Sequence, residues 1–308
     1  MDLFQLETFL AVAEERSFSR AAARLHRTQP AVSQAISKLE SELGETLFER
    51  SMRDGSLTDA GEVLREYAQK LINLRSEATS ALQELRSLHR GKLSLAANEY
   101  TCLYLLPVLD RFRRHHPRIQ VVIQRSLASR IPDDVLAHSV ELGVLSFRPD
   151  DPQLRSIAVY RDTLALVVNP RHKLARAPEV TIRELGSEMF VAHNVASPQR
   201  AKVHEAFRRH KTALRIEVEL PSLDAVKRFV EMGNGVALVP GLTVQHELAS
   251  GALVQVPVKE LQMERKLRLV HRRQASLSHA ALAFLDEVER YANTTGDPFT
   301  FQMERGPA

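Results

Sequence analysis

The chain has a single cysteine, Cys102, among its 308 residues. One thiol excludes an internal disulfide, a thiolate metal cluster and a two-cysteine redox switch within one chain, and it fits a reducing compartment. Near a helix start, Cys102 reads first as a small packed residue, with a regulatory thiol as the alternative. Long apolar runs are also missing: none approaches the roughly 20 residues of a membrane span. The opening stretch MDLFQLETFLAVAEERSF is amphipathic and acidic, unlike the basic-then-apolar pattern of an export signal. A cytoplasmic protein with no membrane partner is expected. Catalytic signatures are absent too, with no GxSxG elbow, no Gly-rich phosphate loop and no HExxH. The twelve histidines show no ligand spacing with supporting carboxylates, and His115-His116 before Pro117 read as a helix end. No metal, no cofactor and no enzymatic activity are expected.

What is present suits burial: 44% of the residues are apolar, and the length fits about two domains plus a connector. The formal charge is +4, yet the first ninety residues carry 12 Lys and Arg against 14 Asp and Glu, so net charge makes no case for nucleic acid. Residues 16–53 differ, with seven basic against four acidic side chains. If the fold gathers those cations on one face, they suffice for phosphate contacts.

The same region, SFSRAAARLHRTQPAVSQAISKLESELGETLFERSMR at 17–53, reads as helix, tight turn, second helix and short basic ribbon. Ser19 is expected to cap the first helix, whose Ala21, Ala22 and Ala23 allow close packing, and His26-Arg27 supply the turn. In the second helix Thr28 is the expected N-cap, Pro30 falls where its missing N–H costs little, and Gly44 suits the left-handed stop. Val32, Ala35, Ile36, Leu39 and Leu43 recur at helical spacing and should face the core. That leaves Gln29, Ser33, Gln34, Ser37, Lys38 and Ser41 outward, a row almost without charge. Such side chains can lie against base-pair edges and exchange hydrogen bonds with them. Leu47-Phe48-Glu49-Arg50 reads as a strand and Arg53-Asp54-Gly55 as a turn, a wing able to place arginines on phosphates or in a minor groove. An ordinary helical corner is the plain alternative.

Ahead of this region Leu3, Leu6, Phe9, Leu10 and Ala13 form a core stripe. From Thr58, a second expected N-cap, a Pro-free helix runs to about Leu88. Along it Leu64, Tyr67, Leu71, Leu74, Ala78, Ala81, Leu85 and Leu88 alternate at steps of three and four, the seam of a coiled coil that needs a partner helix. From Lys92 strands alternate with helices in a parallel α/β run. A second such run lies between TLALVV at 163–168 and LVQVPV at 253–258. KLRLVHR and the amphipathic helix Ala280–Tyr291 then return to the first. Two crossings between two lobes imply a hinge.

The N-terminal segment closely resembles the winged helix-turn-helix of LysR-type bacterial transcriptional regulators. The matches are Phe4, Leu6 and Phe9, then Ser17-Phe18, Ala21-Ala22, Leu25 and Thr28-Gln29-Pro30-Ala31-Val32-Ser33. They continue through Ile36, Leu39-Glu40, Leu43-Gly44, Leu47-Phe48-Glu49-Arg50, Leu57-Thr58 and Gly61. The family usually has Arg where this chain has Gln34 or Ser37. The rest resembles that family's effector domain, similar to periplasmic solute-binding proteins, through Ala225-Val226, Val230, Gly233 and Gly235-Val236-Ala237-Leu238-Val239-Pro240. The resemblance implies an α-rich head at 1–58, a linker helix at 59–90 and a two-lobed domain at 91–292. Lobe I would comprise 91–161 and 268–292, lobe II 162–267, and the tail 293–308 has no reading. It further implies a homodimer through the linker helix, a tetramer of two dimers, and paired half-sites on double-stranded DNA.

The residues expected to contact DNA are Arg27, Thr28, Gln29, Pro30, Ser33, Gln34, Ser37, Lys38, Arg50 and Arg53. Ligands of open α/β sheets sit beyond the carboxyl ends of strands. That rule places Glu99, Tyr100, Thr101, Cys102, Ser126, Ala128, Phe147, Arg148 and Ser197 around a small-molecule effector. Arg148 near two helix starts favours an anion, whereas Glu99 would repel one. The expected function is a sequence-specific regulator controlled by that effector. The alternative is a DNA-binding architectural or bifunctional protein with an enzymatic C-terminal domain, distinguished by turnover of a bound metabolite.

Overall fold

The computed structural model describes residues 1–49, 55–86, 91–195, 197–261, 264–274 and 277–294. The chain divides into two compact units, Met1–Gly91 with 136–139, and Lys92–Val135 with Val140 onward. Arg50 and Arg53 of the expected wing, and Leu88 of the expected seam, lie outside the described residues, as does the tail from 295; the side chains of Ala81 and Leu85 are not described.

In the first unit, α1 (Leu3–Glu15) opens with a capping box between Asp2 and Gln5. Helix α2 (Phe18–Arg24) is capped by Ser17, whose hydroxyl accepts the Arg20 N–H, and not by Ser19, which the helix already includes. His26, in the left-handed region at φ 54°, turns the chain into α3 (Gln29–Leu43). Thr28 sits at the N-cap of α3 but makes no side-chain cap bond, so Pro30 in the first turn and Gly44 at φ 72° are what delimit the helix. Leu6, Phe9, Val32, Ile36, Leu39, Leu47 and Phe48 make one core. Leu3 and Leu43 stay exposed, against expectation, because each lies at a helix end beyond the reach of its neighbours.

The wing is less regular than the sequence suggests: its described part is one antiparallel bridge between Phe48 and Leu57, flanked by Glu49 N–H to Ser56 O and Thr58 N–H to Leu47 O. Helix α4 (Asp59–Arg86) starts on Thr58, whose hydroxyl accepts the Gly61 N–H at 3.0 Å. Gly61 is required there, since a Cβ would overlap the Leu47 carbonyl oxygen. Ala68 is fully buried, and Leu64 and Ile72 pack beside it on the core. The outer row is therefore Val63, Tyr67, Leu71, Leu74 and Leu82, all exposed in the single chain. Leu64, expected in the seam, belongs to the inner face, and the outer row passes through Val63 instead.

The second unit begins with β1 (Lys92–Ala97), α5 (Glu99–His115), β2 (Gln120–Arg125), α6 (Ile131–Leu136) and β3 (Leu142–Leu145). Strand β4 (Leu154–Val168) leads to α7 (Ile182–Leu185), β5 (Phe190–His193), α8 (Pro198–Arg209), β6 (Ile216–Leu220), α9 (Leu223–Glu231) and β7 (Val236–Pro240). Helix α10 (Gln245–Ser250), β8 (Val254–Val256), β9 (Glu264–Arg272) and α11 (His279–Thr294) complete it. Strands β2, β1 and β3 run parallel as expected, but β9 joins β3 antiparallel, so the sheet is mixed.

Strand β4 does not begin at 163: it is fifteen residues long and belongs to both lobes. Its first part pairs antiparallel with β9 from Leu154↔Arg272 to Thr163↔Glu264, with an irregularity between Ala158 and Tyr160. Its second part pairs with β7 and β8. The two crossings are thus one paired ribbon, not separate loops, because the alternating apolar residues of both segments have faces to fill in each lobe. Helices α5 and α11 cover lobe I, where Phe112 and Phe284 meet edge to face at 5.4 Å.

Candidate functional site

On the first unit, the outward row of α3 stands as expected. Gln29, Pro30, Gln34, Ser37 and Lys38 are exposed, as are Arg27 and Thr28 just ahead of them, and Ser33 is half-buried. Lys38 faces Glu42 at 4.0 Å on the helix surface, a contact worth little in water. The Arg27 guanidinium lies 5.7 Å from the centroid of the Phe4 ring. The helix is fixed from behind: Glu40 accepts the Leu47 N–H at 2.7 Å, which ties α3 to the wing base. The face is therefore rigidly supported, polar and free of carboxylates until Glu42, so it can approach a polyanion and exchange hydrogen bonds with base edges.

On the second unit, a cavity of about 670 Å³ opens between the lobes. Glu99, Tyr100, Ser126, Ala128, Phe147 and Ser197 line it, as the strand-end rule expects. Three expected residues do not. Thr101 is fully buried and serves the capping box of α5, its amide bonded to Asn98 Oδ1 and its hydroxyl accepting the Asn98 N–H. Cys102 turns into the packing behind α5, where burial pushes its thiol up, away from thiolate character. Arg148 is exposed and lies outside the lining. The reason is spacing: β3 ends at Leu145, so Ser146 and Phe147 border the cavity and the next residue has already left it.

The cation that Arg148 was expected to supply comes from β9. Arg265 lines the cavity while only 5% exposed. Its Nη2 donates to the Tyr100 hydroxyl at 2.7 Å, its guanidinium lies 4.7 Å from the centroid of that ring, and its Nε has no hydrogen-bond partner among the described residues. Burial raises the Tyr100 hydroxyl above its ordinary pKa, so it stays a neutral donor, also hydrogen-bonded to Ser146. The sequence carried a signal for Arg265. In ERKLRLVHR it alternates with Leu267 and Leu269, which places it on their buried face.

Two helix N-termini complete the rim. Helix α5 presents Asn98, Glu99 and Tyr100, and Glu99 in its first turn is accommodated by the helix dipole. Helix α8 presents Ser197, which accepts the Arg200 N–H at 3.1 Å, and Arg200 reaches back to the His193 carbonyl and pairs with Glu219. Arg125 also lines the cavity. Among the described residues no group of His, Cys, Asp and Glu could hold a metal ion. No described helix is long and apolar enough to cross a membrane.

A helix-turn-helix unit followed by a two-lobed α/β unit with an interlobe cleft defines the class of ligand-sensing transcription regulators. The family follows from two matches that together span nearly the whole chain. Residues 3–62 match the bacterial regulatory helix-turn-helix protein, lysR family, and residues 86–293 match the LysR substrate binding domain. The chain belongs to the LysR family of transcriptional regulators. It is 32% identical over 293 residues to a probable RuBisCO transcriptional regulator of Synechocystis sp., covering 93% of this chain and 85% of that protein. Full-length CbnR complexed with its target DNA superposes with a TM-score of 0.72 at 20% identity, covering 94% of this chain and 99% of that one. The CcmR regulatory domain of Synechocystis, solved in complex with 2-PG, gives 0.61 at 22% identity over 66% of this chain and 98% of that one.

Proposed function

We propose that the chain is a cytoplasmic, non-enzymatic regulator that pairs through α4, reads DNA through α3 and answers to a small anionic effector held between the lobes. In this reading the head is 1–58, the linker 59–90 and the effector domain 91–292. Gln29, Ser33, Gln34, Ser37 and Lys38 meet base edges, while Arg27, Thr28, Pro30 and the wing residues Arg50 and Arg53 position the duplex. The exposed row Val63, Tyr67, Leu71, Leu74 and Leu82 is covered by the same row of a second chain, and two such dimers form a tetramer. Paired heads then occupy paired half-sites, and CbnR, a chain of this fold, forms a complex with its target DNA.

The observation that carries the effector reading is Arg265: a guanidinium this deeply buried that also lines an open cavity is complemented by a carboxylate or phosphate arriving from solution. The complex of CcmR with 2-PG supports a small-molecule ligand for this fold. Footprinting of wild type and Arg265→Gln with candidate anionic metabolites tests the reading. The wild-type footprint should change in length with the true effector at similar affinity, since a ligand shifts the assembly only by its differential affinity for two arrangements. Arg265→Gln should bind the same DNA with no such change. An equal response in both proteins would move the effector out of the cleft.

A further inference from the structure

Most of the cavity wall is apolar, and the apolar part lies on one side. Leu164, Leu238, Phe190 and Ile216 stand on β4, β7, β5 and β6, four strands of the lobe II sheet, and Leu214 and Val203 close the space beside them. The slot exists because of what α8 brings to that sheet. Its buried positions are Gln199, Val203 and Phe207, an i, i+4, i+8 stripe whose first member is polar. Phe207 packs edge to face on Phe190 at 5.6 Å and seals the far end. At the near end Gln199 replaces the apolar side chain that would complete the core, so Leu164, Leu214, Ile216 and Leu238 remain only half-buried. Gln199 is 9% exposed and lines the cavity, a polar side chain at the mouth of the slot.

We infer that the cleft takes an amphipathic carboxylic acid, its head on Arg265 of the crossing strand β9 and Tyr100 of lobe I, its chain passing Gln199 into the slot between α8 and the lobe II sheet. This rests on the anionic-effector reading and narrows it. A small, fully polar anion would satisfy Arg265 but leave the slot as apolar wall facing water. An acid of six to eight carbons offers a charged head to the one end and an apolar tail to the other. Bridging the lobes also gives such a ligand different contacts in open and closed arrangements, which a head alone would not.

Calorimetry on the full chain with butyrate, hexanoate, octanoate, succinate and inorganic phosphate tests it. Affinity should rise about fourfold per methylene from butyrate to octanoate, the factor expected for burying each CH₂, and octanoate should outbind succinate and phosphate. Leu214→Trp fills the slot and should bring octanoate down to the affinity of butyrate without changing butyrate itself. Because the chain has no tryptophan, the emission of that variant reports directly whether it folds with the slot occupied. Val203→Phe serves the same purpose from the helix side. Binding without chain-length dependence, or phosphate or succinate outbinding octanoate, overturns the inference, as does failure of every probe to bind. If such polar-anion binding vanishes in Arg265→Gln, the anionic cleft survives and only the slot assignment falls.

Discussion

Asp162 and Arg265 are cross-strand partners in the β4–β9 ladder, both more than nine-tenths buried, at the point where β4 leaves β9 for β7. Asp162 Oδ1 accepts the N–H groups of Thr163 and Leu242, each at 3.0 Å, while Oδ2 has no hydrogen-bond partner among the described residues. The carboxylate thus binds the crossing strand to the turn after β7, and its charge lies near the cation offered to the cleft.

Burial holds the Asp162 carboxyl above its ordinary value of 3.8, more than the Leu242 N–H, Arg265 and the Thr163 N–H lower it. A raised carboxyl contributes stability that is complete below the unfolded value and is lost as pH rises through the folded one. Asp162→Asn keeps the acceptor for both amides and cannot ionise. Its melting temperature relative to wild type should therefore climb as pH rises above 3.8 and level off once the wild-type carboxyl has ionised. A difference that stays flat between about pH 4 and pH 8 would uncouple this titration from folding.

Recognition should separate by residue. Gln34→Ala or Lys38→Ala should each cost roughly 1–3 kcal/mol at the cognate site and little on random DNA. Arg27→Ala should weaken all sequences alike and flatten the dependence on salt. Gel-shift titrations against cognate and scrambled duplexes at two salt concentrations decide it, and unchanged operator preference in both α3 variants would remove that helix from the groove.

Assembly should depend on the outer row of α4. Leu71 is 40% exposed in the single chain, so Leu71→Asp leaves the folded unit intact while placing a charge against the partner helix. Light scattering should show the mass halved or lower, with loss of paired half-site binding. An unchanged mass would take the row out of the interface.

Head stability should turn on Gly61. A methyl group there meets the Leu47 carbonyl oxygen, which is backbone and already accepts the Thr58 N–H at 3.1 Å. Gly61→Ala should cost about 1–3 kcal/mol, as overpacking does, and loosen the wing with it. Thermal unfolding of the isolated variant is the measurement, and a melting temperature equal to wild type would show that the helix start yields freely.

The helical parts were legible because their signals are local. Pro30, Gly44 and the spacing of Val32, Ile36 and Leu39 place α3 without knowledge of anything else, and its outward row follows by subtraction. The coiled-coil row was read one position off at its start, since Leu64 and Val63 differ in face only once α1 is there to cover one of them. The cleft was half legible. Residues directly after strands β1, β2 and β3 came out where strand ends put them. Arg148 did not, because where β3 ends depends on its pairing with β9. Arg265 and Asp162 each stand one residue ahead of the alternating stretches that begin at Lys266 and Thr163. Their burial is a property of the ladder they share, not of either stretch alone.

That ladder also sets how the lobes can move. Two loops would let them swing like a door, but β4 and β9 hydrogen-bonded side by side over ten residues of β4 behave as a torsion bar, stiff to bending in the plane of the sheet and compliant to twist. The register shift between Ala158 and Tyr160 interrupts that bar, and such an interruption increases the local twist of a strand pair. A ligand that grips both lobes is thus converted into a rotation of one about the ribbon axis, a small angle whose displacement grows with distance from the cleft.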